Sequence, residues 1–209
     1  MTIVEKGGCF GCHQIDGFEN TPKPGPGLRK IAAKTTKDFA YKWIYDPRGF
    51  RENTWMPHFF KQVNSQDLES VKRTDQEIHA IVSYLFDRSE AFKMEKMQNK
   101  GNADNGRMLV NSVGCLGCHA TEGEEQVALK SVNSMRREHG PNLINLGSKT
   151  TQKWIYNWIR DPQGYHSGTK MPNLRLSKQE ASDISAFLIG QRDKGFEKNP
   201  RPEVDENEL

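Results

Sequence analysis

Gly114-Cys115-Leu116-Gly117-Cys118-His119 is one of two matching stretches in this sequence, and the other is Gly8-Cys9-Phe10-Gly11-Cys12-His13. The pattern Cys-x-x-Cys-His is the attachment signature of c-type haem, in which two thiols bond to the porphyrin and the next histidine ligates the iron. All 4 cysteines of the chain belong to these two motifs. The sequence therefore predicts two haem c groups, attached at Cys9 and Cys12 and at Cys115 and Cys118, with His13 and His119 as iron ligands.

Two other kinds of site use closely spaced cysteines, and both stay open at this point. A redox dithiol is typical of a strand-to-helix context, which the surrounding sequence lacks. A zinc site usually takes four ligands from two separated clusters, whereas each cluster here offers two cysteines and one histidine. The repeated context of the two motifs favours haem over both alternatives.

The composition is poor in apolar residues for a chain that builds two cores. Only 34% of the 209 residues are hydrophobic and the mean hydropathy is −0.81, so a buried macrocycle is needed as core material. The net charge of +3 gives no indication of nucleic-acid binding. No apolar run is long enough to span a membrane and no signal peptide precedes Cys9. Because haem c is attached outside the cytoplasm, we expect the sequence to be a processed form or a piece of a longer, membrane-associated protein.

The two halves of the sequence are an internal duplication. Downstream of the motifs they align at a shift of 115 residues, through Pro26/Pro141, Leu28/Leu143, Trp43/Trp158, Asp46/Asp161, Thr54/Thr169 and Met56/Met171. The motifs themselves are shifted by 106, so the second half has nine more residues in this region, assigned to the polar stretch from Glu122 to Arg137. The duplication predicts a first domain over 1–92, a linker over 93–105, a second domain over 106–198 and a disordered tail over 199–209.

Helices are predicted over 36–45 and 151–160, each ended by an Asp-Pro pair because proline disfavours the helical conformation in the residue before it. Thr74-Asp75-Gln76-Glu77 and Ser177-Lys178-Gln179-Glu180 each fit a capping box that opens an amphipathic helix. An insertion around 59–73 lengthens the first half before its last helix.

Each half resembles a class I cytochrome c in the order of its parts. These are an N-terminal helix, the Cys-x-x-Cys-His motif, a Gly-Pro-x-Leu loop, a helix ended by proline, a methionine-bearing loop and a C-terminal helix. Asp161-Pro162-Gln163-Gly164-Tyr165-His166-Ser167-Gly168-Thr169-Lys170-Met171 is similar to the Asn-Pro-x-x-Tyr-x-x-Gly-Thr-Lys-Met run of mitochondrial-type cytochromes. The resemblance implies an all-α fold with two tandem class I cytochrome c domains, each a few helices wrapped around one covalently bound haem.

Met56 and Met171 are the predicted distal iron ligands. A lone methionine is usually core filler, but these two occupy the same place in both repeats, each in Thr-x-Met-Pro. A thioether is a soft, neutral ligand that raises the reduction potential. The rival ligands His58 and His166 lie near the methionines at different offsets, which favours a surface position for both.

Other residues are expected around each haem. The resemblance implies that the carbonyls of Pro26 and Pro141 accept the Nδ1 protons of the two motif histidines. Trp43 and Trp158 are expected to pack over the haem on the distal side, and Thr54 and Thr169 to hydrogen-bond a propionate. Trp55, Phe59 and Phe60 are expected to cover the first haem and to raise its potential above that of the second.

The function predicted from the sequence is that of a dihaem carrier of single electrons, not an enzyme, located in the periplasm or otherwise outside the cytoplasm. It would be a subunit or fragment of a bacterial respiratory complex. Its partners would be other redox proteins. Eight basic against two acidic residues over 23–51 suit an acidic partner, although a solvated helix face is the commoner explanation of such a run of charges. The alternatives are a subunit of an enzyme, such as a dihaem peroxidase or sulfur-compound dehydrogenase, and a haem-based sensor. Each of these needs a haem with an open or displaceable ligand position.

Overall fold

The computed structural model describes residues 3–18, 21, 23–52, 54–121 and 140–201. Within these ranges every regular element is helical, which confirms the predicted all-α fold. The chain forms two compact units. One contains the chain up to Ala91 together with the segment from Lys198 onward, and the other is Phe92–Glu197.

The first unit is built on α7, its longest helix, which packs against α1, α3, α4 and α6. Its helices are α1 (Ile3–Lys6), α2 (Cys9–Cys12), α3 (Ile31–Lys34), α4 (Lys37–Tyr45), α5 (Pro47–Phe50), α6 (Leu68–Lys72) and α7 (Thr74–Asp87). Ile78 and Val82 on α7 are buried in a cluster with Tyr41 on α4. One turn further on, Ile81 and Leu85 pack with Val4, so α7 holds both α4 and α1.

One of the two predicted capping boxes is wrong. The predicted box would place Thr74 at the N-cap, but α7 begins at Thr74 itself and Arg73 is its N-cap residue. The reason is that α6 runs directly into α7, and the Thr74 hydroxyl donates back to the carbonyl of Ser70 (3.5 Å). The box at Ser177 is confirmed, with reciprocal hydrogen bonds between Ser177 and Glu180.

The second unit is organised by a close helix crossing. Its elements are α8 (Ala103–Ser112), 3-10 turns at Cys115–Gly117 and Leu146–Ser148, α9 (Gln152–Arg160), α10 (Pro162–Tyr165), α11 (Lys178–Gly190) and α12 (Lys194–Lys198). A Cβ added to Gly106 on α8 would lie 2.0 Å from the backbone oxygen of Asp183 on α11. Only glycine permits this approach, and Val110, Ile155, Ile184 and Leu188 form the core beside it.

The segment before α8 is fastened to the second unit. The Glu95 amide donates to Asn157 Oδ1 (2.7 Å), and the Asn102 amide donates to Asp183 Oδ1 (2.7 Å). Helix α8 begins at Ala103, inside the range 93–105 that was predicted to be a linker. The domain boundaries remain a prediction.

Two sequence predictions lie wholly or mainly outside the described residues. The loop from Glu122 to Arg137 is one of them. The other is the tail after Lys198, of which only residues 199–201 are described. Within that short part, an Arg201 guanidinium nitrogen lies 3.2 Å from Nδ1 of His79, which is buried.

Candidate haem-binding sites

The motif histidine of each half is oriented by a proline carbonyl. His13 Nδ1 lies 2.8 Å from the Pro26 oxygen, and His119 Nδ1 lies 2.7 Å from the Pro141 oxygen. A carbonyl can only accept a hydrogen bond, so each Nδ1 carries the proton and each Nε2 is left as a lone-pair donor. Burial lowers the pKa of His13, opposed in part by the Pro26 carbonyl, so this imidazole is neutral at neutral pH.

A glycine next to each of these prolines lets the loop lie against the imidazole. A Cβ added to Gly25 would be 2.6 Å from His13 Cε1, and one added to Gly140 would be 2.3 Å from His119 Cε1. The same glycines donate their amides to the carbonyls of Cys12 and Cys118, both at 2.8 Å. The loop thus contacts the motif in two places, at the histidine ring and at the carbonyl of the second cysteine. This role of the glycines was not predicted from the sequence, although their position before each proline is visible in the alignment of the halves.

The cysteines are suited to thioether attachment and not to dithiol chemistry. All four are unpaired thiols. Burial raises the pKa of Cys9 and of Cys115, whereas redox-active dithiols depend on a lowered thiol pKa. Among the described residues, no three His, Cys, Asp or Glu side chains come together as a metal-ion site, which disfavours zinc. The donor set therefore fits haem c best of the three readings.

A tryptophan indole faces the sulfur of the predicted methionine ligand in both halves. Trp43 Nε1 lies 2.8 Å from Met56 Sδ, and Trp158 Nε1 lies 2.9 Å from Met171 Sδ. The backbone amide of each methionine donates to the hydroxyl of the threonine two residues before it, Thr54 or Thr169, at 3.2 Å. Hydrogen bonds therefore hold both the side chain and the backbone of each methionine, and the arrangement is the same in the two halves.

In each half, one aspartate lies between the tryptophan and the methionine and joins two consecutive helices. Asp46 ends α4, and its carboxylate accepts from the Gly49 amide (3.0 Å) as the N-cap of α5. Asp161 does the same between α9 and α10, accepting from Gly164 (3.1 Å). The predicted helix ends at the Asp-Pro pairs are confirmed. The short helix that follows each pair was not predicted, because four residues carry too little periodicity.

Each tryptophan belongs to a three-ring cluster with the same arrangement in both halves. Trp43 is stacked with Phe39 (6.0 Å between centroids), and the edge of Phe50 meets both rings at 5.1 to 6.1 Å. Trp158 is stacked with Trp154 (5.3 Å), and Tyr165 takes the edge position at 5.5 and 5.7 Å. Such stacked and edge-to-face contacts stabilise a fixed ring geometry.

The two clusters differ in polarity. The rings beside Trp43 are phenylalanines, whereas those beside Trp158 carry an indole N–H and a phenol O–H. Burial raises the pKa of Tyr165 to about 12. The second cluster therefore carries N–H and O–H groups on rings whose counterparts in the first cluster are hydrocarbon.

The predicted cover of the first site is wrong at one position. Trp55 is 95% exposed and covers nothing, and Phe59 is 42% exposed, while Phe60 packs against the core. Trp55 points to solvent although it is the residue next to Met56, whose sulfur faces Trp43. Of the rival ligands, His166 is exposed and His58 is half-buried.

Comparison with known proteins identifies the family to which both halves belong. A family model described as Cytochrome c matches residues 2–88 and again residues 103–190. A search of curated proteins finds no match. No helix among the described residues has the length and apolar character required to cross a bilayer.

Proposed function

Because the chain belongs to the cytochrome c family, with one family domain in each half, we propose that it carries single electrons between redox proteins outside the cytoplasm. Haem-based electron transfer is the activity of the family, and each of the two domains binds one haem c covalently. The iron of each bound haem supplies a one-electron couple. We also propose which residues hold each haem, which side chains ligate each iron and where in the cell the protein acts.

We assign the attachment of the two haems to the paired cysteines of each motif. His13 and His119 would ligate iron through Nε2, because their Nδ1 atoms are held by the proline carbonyls. Met56 and Met171 would ligate from the other side. Trp43 and Trp158 would hold the sulfurs of these methionines, and Thr54 and Thr169 would hold their backbones.

The observation that carries the proposal is the same indole-to-sulfur contact in both halves. With Met56 and Met171 each held in place, these sulfurs would be the second protein ligands of the two irons and would leave neither iron open to a substrate. A closed coordination sphere suits electron transfer, since it changes little between oxidation states. An enzyme or a gas sensor of the kinds considered above needs at least one labile ligand. The duplication of the contact therefore supports a carrier over a catalyst.

The setting follows from the chemistry of attachment. Haem c is attached outside the cytoplasm, so a periplasmic or equivalent location is proposed. The partners would be a donor and an acceptor protein, and the chain would act as a fragment or subunit of a bacterial respiratory complex. A membrane-associated parent protein is part of this proposal.

The test is ligand spectroscopy on the intact protein with both haems attached. The ferric form should show the weak long-wavelength band of sulfur-to-iron ligation. Met56→Ala and Met171→Ala should each remove part of that band, and Met108→Ala should leave it unchanged, because Met108 is 62% exposed on α8. A high-spin signal from either haem of the unaltered protein, or carbon monoxide binding to its reduced form, would contradict the proposal.

A further inference from the structure

The segment over 92–102, which we call the strap, lies along the second unit. It falls between the two family matches, which end at residue 88 and resume at residue 103, so it belongs to neither family domain. Met94 and Met97 on the strap pack against the core of the second unit. At Gly101 the backbone has a φ of 76°, and an added Cβ would lie 2.1 Å from the carbonyl oxygen of Ser182 on α11. Glycine there allows the strap to run directly against that helix.

Glu95 ties the strap to two helices of the second unit. Its amide donates to Asn157 Oδ1 (2.7 Å), and its carbonyl accepts from Asn157 Nδ2 (3.1 Å). Its carboxylate pairs with Arg160, at the end of α9, and with Lys178, at the start of α11 (2.7 Å). Both backbone groups and the side chain of one strap residue are therefore bonded to the helices that carry the second ring cluster and the core beside it.

Phe92, the first residue of the strap, adds a fourth ring to the cluster of the second half. The Phe92 ring meets the Tyr165 ring edge-on, with 5.0 Å between centroids and an interplanar angle of 85°. Tyr165 meets Trp158 in the same manner at 5.7 Å, and the Trp158 indole nitrogen lies 2.9 Å from Met171 Sδ. Edge-to-face contacts favour one ring orientation over others. An unbroken series of contacts therefore leads from the strap to the sulfur assigned as iron ligand.

A polar cavity adjoins the strap at Phe92. Its volume is about 420 Å³, and its lining includes Phe92, Lys93, Asn157 and Arg160. Tyr165 contacts Phe92 but does not line the cavity. A polar cavity of this size is large enough to hold water. A smaller side chain at position 92 would extend the cavity toward Tyr165 and would let water reach the ring cluster.

The equivalent ring of the first half has a different neighbour. Phe50 aligns with Tyr165 at the shift of 115 residues. The Arg51 guanidinium lies 4.4 Å from the centroid of the Phe50 ring, where it makes a cation–π contact. The second half places a hydrocarbon ring from outside the family domain on its edge ring. A change in the strap should therefore act on the second haem and not on the first.

We propose that Phe92 is a positioning residue for the second haem. Its ring would hold Tyr165 and Trp158 so that the indole N–H stays directed at the sulfur, and it would keep the water of the cavity away from these rings. Both effects raise the reduction potential, because a polarised sulfur and a drier surrounding disfavour the extra charge of ferric iron. The inference rests on the proposed function, in which Met171 ligates the iron.

The test is a spectroelectrochemical titration of the protein with both haems attached. At the midpoint potential of the unaltered second haem, Phe92→Ala should lower the ratio of reduced to oxidised second haem at least threefold. That factor is a fall of about 28 mV, at about 59 mV per tenfold change for one electron. Phe92→Leu keeps apolar bulk without a ring and should act in the same direction. Phe92→Tyr keeps the ring and should change the ratio less than twofold.

The matched control is Met97→Ala, which removes an apolar side chain from the same strap. It should lower the melting temperature of the second domain, because Met97 packs against the core, and should change the ratio less than twofold. An unchanged second potential in both Phe92→Ala and Phe92→Leu would overturn the proposal, and so would an equal shift with Met97→Ala or an equal shift of the first haem. The sulfur-to-iron band of the unaltered protein tests the proposed function separately. Its absence for the second haem would contradict Met171 as ligand, whatever the strap variants show, and would overturn the inference as well.

Discussion

The indole nitrogen of Trp158 lies 2.9 Å from the sulfur of Met171, thirteen residues further along the chain. The N–H group directed at the sulfur lone pair withdraws electron density from the atom assigned as iron ligand. A sulfur that donates less electron density disfavours the ferric state relative to the ferrous state. The contact should therefore raise the reduction potential of that haem. Trp43 and Met56 repeat the relationship at 2.8 Å.

The first prediction concerns these two contacts. Trp158→Phe removes the N–H group and keeps a ring, and it should lower the potential of the second haem by about 20–60 mV. A typical hydrogen bond contributes ~0.5–1.5 kcal/mol. For a one-electron couple, a tenfold change in the equilibrium constant is about 59 mV, so this energy converts to the stated range of potential. Trp43→Phe should act equally on the first haem. Spectroelectrochemical titration measures both. Trp154→Phe is the control for ring loss without loss of the sulfur contact, and a fall as large as that of Trp158→Phe would contradict the assignment.

The second prediction concerns the glycine that lies against the histidine ring. Gly140→Ala places a methyl group 2.3 Å from His119 Cε1, so either the loop or the imidazole must move. We expect a loss of about 1–3 kcal/mol in the free energy of unfolding of the second domain, as for other overpacked sites. Thermal unfolding followed by haem absorption measures it. Gly117→Ala is the control, since a Cβ there meets nothing within 4 Å, and it should be close to neutral.

The third prediction concerns the crossing of α8 and α11. Gly106→Ala should destabilise the second domain by about 1–3 kcal/mol, because the new methyl group meets backbone that has no rotamer to change. Gly190→Ala near the end of α11 has open space around its Cβ and should gain up to about 1 kcal/mol from helix propensity. Calorimetric unfolding that ranked the two variants in the opposite order would refute this account of the crossing.

The fourth prediction is a pH dependence. Hydrogen bonds from Lys178, and then from Arg160, lower the pKa of Glu95 below its ordinary value of 4.5. A carboxyl group whose pKa is lower in the folded state adds stability above its unfolded pKa, and this contribution is lost as the pH falls through the folded value. Glu95→Gln should therefore lower the melting temperature at pH 7 and have a smaller effect below pH ~4. Lys178→Gln is the partner control. A pH-independent difference would show that Glu95 acts by packing alone.

The fifth prediction is the order of the two potentials. With Trp55 in solvent, cover by that residue is no longer a reason for a higher first potential. The ring clusters supply another. The rings beside Trp43 are hydrocarbon, whereas Tyr165 and Trp154 at the same positions make the second cluster more polar, and a more polar surrounding stabilises the extra charge of ferric iron through its dielectric response. The first haem should be the higher-potential site. Potentiometric titration with Met56→His to identify its wave would settle the order, and a higher second wave would contradict it.

Much of the fold could be predicted from local sequence because its signals are local. The helix ends at Asp46 and Asp161 followed from proline geometry, and the Ser177 box from three-residue spacing. The box at Thr74 was mispredicted because the preceding helix, α6, is too short to be seen in the sequence and takes over the cap position. Local rules cannot show where one helix ends directly against the next.

The candidate sites were less predictable where they depend on contacts distant in the sequence. Alignment of the halves pointed to the tryptophans and methionines, but not to the hydrogen bond between them. The contact of Gly140 with the ring of His119 joins residues twenty-one positions apart in the sequence, and no periodicity indicates it. Likewise, the solvent-facing side chain of Trp55 contradicts the usual burial of a large ring, and hydropathy alone favours the wrong answer.

The aspartate between α9 and α10 has a mechanical consequence. Asp161 ends one helix and begins the next without an intervening residue, so the angle between α9 and α10 is set at a single side chain. The hydrogen bond from the Gly164 amide to the Asp161 carboxylate holds that angle. Loss of this carboxylate would therefore loosen the corner that precedes the loop carrying Met171, and would leave the core residues of α9 in place.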